Sequence, residues 1–291
     1  MFRLFVPLAC VAACMAAPKE ASLKGFNYRN SPDITPNYGA LADRVFGRPD
    51  SSTGDRVAKY DPEKDEVNPE ELGSYAAGDI LVPGVTSRNG LVATTSRWTR
   101  GQIPFVISSS FAPRDVDIIH QAMDVYHQLT CVRFFPWSGR EKDYVSIENS
   151  NSGCWASVGR TGGKQQVNLQ SPACLMRVGT VLHELMHTVG FLHEQNRAER
   201  DQFVEILWKN VEKNREENFK KIPASVAYTQ IPYDYESVMH YSTAAFSSNG
   251  KPTLKTKKRG NFKVGQRERM SVGDIHKINM MYKCDGPFSY V

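Results

Sequence analysis

Between Val181 and Asp201 the chain reads V-L-H-E-L-M-H-T-V-G-F-L-H-E-Q-N-R-A-E-R-D. His183 and His187 are four residues apart, and at about 3.6 residues per helical turn they project from one face. Gly190 stands where such a helix has to stop, because a backbone turn with φ > 0 costs glycine little. The reversal returns His193 toward the other two. Three imidazoles with one position left open is the ligand count of a catalytic zinc, whereas a structural zinc has four protein ligands. Glu184, beside the first of the three, is free to accept a proton from a water that the ion activates, since zinc lowers that pKa from about 15.7 to roughly 7. The chemistry served is hydrolysis of a carbonyl compound, most simply a peptide bond. Three of the seven histidines fall in this eleven-residue window, so a chance grouping of surface histidines is a poor account of them.

His-Glu-x-x-His-x-x-Gly-x-x-His resembles the signature of the metzincin metallopeptidases, and Glu194 directly after the third histidine resembles their astacin branch. The resemblance extends from Asn89 to Cys284. It implies an α+β fold, a zincin-like two-lobed metalloprotease domain with a twisted sheet and an active-site helix above a less regular C-terminal lobe. It implies zinc as the cofactor, His183, His187 and His193 as its ligands, and Glu184 as the general base. Ser237-Val-Met-His-Tyr241 resembles the family's Met-turn, in which Met239 forms a soft floor beneath the metal. Tyr241, a phenol that remains a donor at neutral pH, then steadies the oxyanion. Gly265-Gln266-Arg267 resembles meprins and tolloid-type astacins, which implies that Arg267 favours an acidic residue just after the scissile bond. The expected function is a secreted zinc endopeptidase that cuts internal bonds of polypeptides and is made as a latent proenzyme. The alternative is a secreted binding protein that keeps the fold without the catalysis. Loss of Glu184 or Tyr241 would favour that alternative, and both are present.

Compartment follows from the first residues. Residues 1–17, MFRLFVPLACVAACMAA, carry Arg3, an apolar run and then small residues, the layout of a secretory signal peptide. No stretch approaches the roughly 20 apolar residues needed to span a bilayer, so no membrane partner is expected. Removing that segment discards Cys10 and Cys14 and leaves Cys131, Cys154, Cys174 and Cys284. An even number in a secreted chain reads as two disulfides with three possible connectivities. Cys154 and Cys174 flank a short segment that favours a local bridge; the resemblance implies that pairing, together with Cys131 to Cys284.

Residues 18–88 are rich in Pro, Gly, Asp and Glu and poor in large apolar side chains, which suits an extended cover more than a domain. This segment has nine basic and twelve acidic residues, against 26 basic and 19 acidic from Asn89 onward. An acidic leader therefore faces a basic body, although salt screens that attraction over about 8 Å. Tyr75-Ala-Ala-Gly-Asp79 resembles the family's Phe-x-Gly-Asp latency motif, whose carboxylate takes the place of water on the zinc. Here Ala76 fills the aromatic position and Tyr75 lies next to it. Asp79 is the expected switch, and the prosegment the chain's own inhibitor. Cleavage after Arg88 would free an N-terminus at Asn89, which the family links to Glu194, a buried carboxylate in need of a cation. The division expected is signal peptide 1–17, prosegment 18–88 and catalytic domain 89–291. With seven residues after Cys284, no accessory module is expected, and the protein is expected to be a monomer.

Further along, Gln102 to Ser108 reads as a first strand, and Pro113 to Thr130 as an amphipathic helix with Val116, Ile119, Met123, Tyr126 and Leu129 on one stripe. His120 and His127 on that helix have no third ligand nearby and are read as surface or packing residues. Val132–Phe135 and Val145–Glu148 are expected strands, and Gln165–Gln170 resembles the edge strand that, in the astacin family, pairs with an extended substrate. After Asp201 a short strand and a charged helix are expected. No Lys/Arg run interleaved with aromatics appears, which excludes a nucleic-acid partner, and the basic stretch 251–269 reads as a solvated loop.

Overall fold

The computed structural model describes residues 45–83, 97–224, 231–260 and 262–285. The expected signal peptide and the expected cleavage point at Arg88 and Asn89 lie outside the described residues. The leader contributes β1 (Phe46–Gly47), α1 (Ser51–Val57), a 3-10 turn (Pro69–Leu72) and β2 (Val82–Pro83), which pairs in parallel with β1. Asp50 caps α1 by accepting the Ser52 N–H at 2.9 Å. The leader is thus less extended than its composition implies.

The body opens with β3 (Gln102–Ile107), α2 (Pro113–Leu129), β4 (Arg133–Pro136), β5 (Tyr144–Glu148), β6 (Cys154–Ala156) and β7 (Lys164–Leu169). Their sheet order is β4-β3-β5-β7-β6, parallel except for β6. The expectation of an edge at Gln165–Gln170 is therefore corrected. β7 lies between β5 and β6, and the edge is the three-residue β6, too short to register as a strand in the sequence.

Beneath the sheet runs α3 (Val178–Val189), whose residues from Gly179 to Val189 are all buried. A helix buried on every side needs cover all round, to which the sheet and α2 contribute; the Tyr126 hydroxyl of α2 donates to Leu182 O at 2.7 Å. Gly190 ends the helix with φ 124° and donates its N–H back to Met186 and His187 carbonyls.

The second half is less regular. β8 (Val204–Ile206) pairs antiparallel with β9 (Leu254–Thr256), around a cluster that includes Phe219, Tyr233, Tyr235, Tyr241 and Phe246. The charged helix expected after Asp201 does not form; 3-10 turns at Trp208–Asn210 and Glu216–Phe219 replace it. Asn214 between them sits at φ 72°, which no continuous α-helix accommodates. The last element, α4 (Val272–Tyr282), starts on a Ser271/Asp274 capping box. Disulfides join Cys131 to Cys284 and Cys154 to Cys174. Among the described residues no helix is long and apolar enough to cross a membrane.

Gly179 fixes the entry of α3. Its N–H donates to Arg267 O at 3.1 Å, and a Cβ there would lie 2.0–2.3 Å from the Arg267 backbone. Gly179→Ala is expected to destabilise the fold by about 1–3 kcal/mol through overpacking against backbone, read as a fall of several degrees in melting temperature. An unchanged melting temperature would contradict this close approach.

Candidate metal centre

α3 presents His183 and His187 one turn apart, and the chain reversal at Gly190 brings His193 to the same point. The three rings are buried. His183 Nδ1 lies 2.8 Å from Val238 O, and His187 Nδ1 lies 2.8 Å from Phe191 O. A carbonyl oxygen only accepts, so each Nδ1 carries the proton and each Nε2 is a bare lone pair. Burial and the Arg267 charge push His183 down to about 4, and burial does the same to His193. Both rings are therefore neutral donors at neutral pH.

Asp79 of the leader enters this group. Its Oδ2 is 3.0 Å from His183 Nε2 and 3.1 Å from His193 Nε2, and its Oδ1 is 3.4 Å from His187 Nε2. His183 and His193 Nε2 are 3.2 Å apart. All four ligand atoms lie within 4.8 Å of one another. His183 and His187, with their protons committed to backbone carbonyls, have none to share, and their lone pairs facing an anion at these distances repel it unless a cation sits among them. A tetrahedral zinc with bonds of about 2.0–2.1 Å spaces its ligand atoms roughly 3.3 Å apart, which the separations match. Three nitrogens and one carboxylate oxygen also suit zinc by donor type.

The leader reaches the site through a sharp turn, with Ala77 at φ 49° and Gly78 at φ 93°. A Cβ on Gly78 would come 2.9 Å from Phe246 Cζ. Tyr75 supplies the ring that Ala76 lacks: it packs edge-on to Trp155 at 6.0 Å, and its hydroxyl donates to Ser152 O at 2.7 Å. After Asp79 the chain joins the sheet edge, where Ala156 N–H donates to Asp79 O at 2.9 Å and Leu81 N–H donates to Ala156 O at 3.1 Å. Tyr241, stacked obliquely near His193, donates its hydroxyl to Ala77 O at 2.5 Å.

Glu184 is buried and neither of its oxygens has a hydrogen-bond partner. Burial, then the nearby Asp79 and Glu70 carboxylates, push its carboxyl well above the usual carboxylate range. Met239 is fully buried, and its carbonyl accepts the Glu194 N–H at 3.1 Å. Glu194 itself faces Arg197 and Lys277.

Two leader contacts were invisible in the sequence. Glu70 forms a buried ion pair with Arg267 Nε at 2.5 Å, and Glu71 accepts the Ser242 N–H and hydroxyl, each at 2.6 Å. Asn68-Pro-Glu-Glu announces only a helical turn; nothing local names partners almost 200 residues away. His120 and His127 stand apart from the centre, His120 edge-on to Phe105 and His127 accepting the Phe134 N–H at 2.9 Å.

The family model Astacin (Peptidase family M12A) matches residues 91–283. Zinc metalloproteinase nas-4 of Caenorhabditis elegans is 40% identical over 226 residues, which cover 74% of this chain and 71% of that one. Meprin A subunit beta of Homo sapiens is 38% identical over 218 residues, covering 74% of this chain but 30% of meprin. Among solved structures, high choriolytic enzyme 1, a hatching enzyme zinc-protease from Oryzias latipes, is 34% identical with a TM-score of 0.61, covering 69% of this chain and all of that one.

Metal removal tests the donor set. Stripping the full chain with a chelator is expected to lower the melting temperature by more than about 5 °C, because the buried donors then face one another uncompensated. Added zinc is expected to restore it. A melting curve indifferent to the chelator would contradict the site.

Proposed function

The chain belongs to the astacin family of zinc peptidases, and from that premise we propose that it is the latent precursor of a secreted endopeptidase, held closed by Asp79. The observation that carries this reading is the leader carboxylate lodged among the three imidazoles while Glu184 keeps both oxygens unpartnered. His183, His187 and His193 would hold the zinc, with Asp79 lodged among them until cleavage after Arg88 releases the leader and leaves 89–291 as the catalytic domain. Bound there, zinc supplies a Lewis acid that polarises the scissile carbonyl and makes a water nucleophilic near neutral pH.

The remaining work falls to side chains. Glu184 accepts a proton from the attacking water and delivers it to the leaving amine. Tyr241, whose hydroxyl is engaged by Ala77 O, is freed when the leader departs and donates to the developing oxyanion. Met239 supports the rings from below. The Ala156 N–H and C=O, now bonded to the leader, become available to an extended polypeptide. Arg267 meets the leader through a carboxylate, Glu70, which supports a preference for an acidic side chain just after the scissile bond. The new ammonium at Asn89 approaches Glu194. Signal peptide 1–17 and two disulfides fit an oxidising, extracellular setting.

The full chain is expected to leave casein intact and the chain cut after Arg88 to degrade it. Asp79→Ala is expected to raise precursor activity at least tenfold; zinc-loaded Asp79→Ala protein as silent as wild type would overturn the latency reading. In the cut enzyme Glu184→Gln is expected to lose about 10²–10⁴ in turnover with its zinc retained, and full turnover in that variant would remove Glu184 from the mechanism. On a peptide library, Arg267→Ala is expected to abolish any preference for Asp or Glu after the cut bond. A profile identical to wild type would dismiss Arg267 as a selector.

A further inference from the structure

Glu194 immediately follows the third histidine, and its carboxylate is 2% exposed. In this uncut chain it is already matched. Oε1 accepts Arg197 Nη1 at 2.7 Å and the Asp234 N–H at 2.9 Å, and Oε2 accepts Lys277 Nζ at 2.8 Å. Lys277, in the middle of α4, is 3% exposed. Lysine is rarely buried unless paired, and this ammonium has partners on three elements: Glu194, Asp274 Oδ1 at 3.1 Å and Ser237 Oγ at 3.3 Å.

Those partners lead to the imidazoles by two short routes. The first is through Glu194, whose own N–H donates to Met239 O at 3.1 Å and so sets the backbone next to His193. The second is through Asp274, which accepts the Ser237 hydroxyl at 2.6 Å and the Val238 N–H at 2.8 Å. Val238 O in turn orients His183 through Nδ1. One buried cation therefore pulls on both the turn that aims His183 and the residue that follows His193. Burial would raise the Glu194 carboxyl, but Lys277 and Arg197 override it and hold the group below its usual range. Burial would likewise lower Lys277, and Glu194, Asp274 and Asp234 hold it above the usual ammonium range.

We propose that Lys277 is the built-in counter-ion of Glu194 and a positioning residue for His183 and His193, so that the metal centre is set before the chain is cut and does not depend on a new amino terminus. This rests on the zinc-peptidase reading above and adds to it the regulation of the same site: cleavage removes the leader but is not needed to neutralise Glu194. An arriving Asn89 ammonium joins a carboxylate that already has two cations.

The test measures zinc affinity of the full chain by chelator competition, a readout that needs no proteolysis. Lys277→Met keeps length and removes charge; it is expected to weaken zinc binding about 10–100-fold, the usual cost of losing a residue that orients ligands. Glu194→Gln with Lys277→Met is expected to weaken it by less than the product of the single changes, the signature of a coupled pair. In the cut enzyme Lys277→Met is expected to lower kcat with KM nearly unchanged. Wild-type enzyme retaining Ser87 and Arg88 ahead of Asn89 is expected to match the Asn89-started form within about twofold in zinc affinity and kcat/KM. A loss of tenfold or more from that extension, with Lys277→Met binding zinc normally, would overturn the proposal. If Lys277→Met alone does not fold, the double variant decides: a folded, zinc-binding double supports the pair, and one equally unfolded contradicts it. Failure of the peptidase reading shows differently, as zinc-loaded cut protein of every variant that hydrolyses nothing.

Discussion

Everything in this structure turns on charge compensation in a dry place. Two lone-pair nitrogens fixed by backbone carbonyls, a third imidazole and a carboxylate converge where no water reaches them. Such a group is unstable without a cation. The fold that holds it is accordingly closely fitted: a helix buried from Gly179 to Val189 and ended at Gly190, with a turn at Ser237–Met239 bonded to Asp274.

The leader shares that logic. Its carboxylates meet prepared partners: Asp79 the imidazoles, Glu70 the Arg267 guanidinium, Glu71 the Ser242 N–H and hydroxyl. Its backbone occupies the sheet edge at Ala156. The segment thus combines charge-assisted contacts buried away from screening salt with apolar anchors, Val57 and Tyr60 in the main core and Ile80 and Leu81 near the sheet edge. Arg267 uses only Nε toward Glu70, and its Nη2 has no hydrogen-bond partner.

The metal-binding pattern was legible because its chemistry is local. Histidine spacing, the stopping glycine and the adjacent glutamate all sit within one helix and one turn, where periodicity speaks directly. The amphipathic α2 and strands β3 and β5 were legible for the same reason. The sheet edge was not: β6 is three residues long, and its place outside β7 follows from pairing between distant segments. The stretch after Asp201 has a helix-like charge pattern, yet Asn214 breaks it at positive φ. Lys277 and Glu70 were silent because a buried ion pair leaves no trace in the sequence near either partner. Tyr75 is intermediate, since the missing aromatic at Ala76 pointed to a substitute next door, and only packing on Trp155 identifies it.

X-ray absorption at the zinc edge, on the uncut wild-type chain and on uncut Asp79→Ala, tests the central claim most directly. Three imidazole nitrogens and one carboxylate oxygen at about 2.0–2.2 Å are expected in the wild type, with the carboxylate contribution lost in the variant. Identical shells in the two proteins, or a shell without three imidazoles, would contradict it.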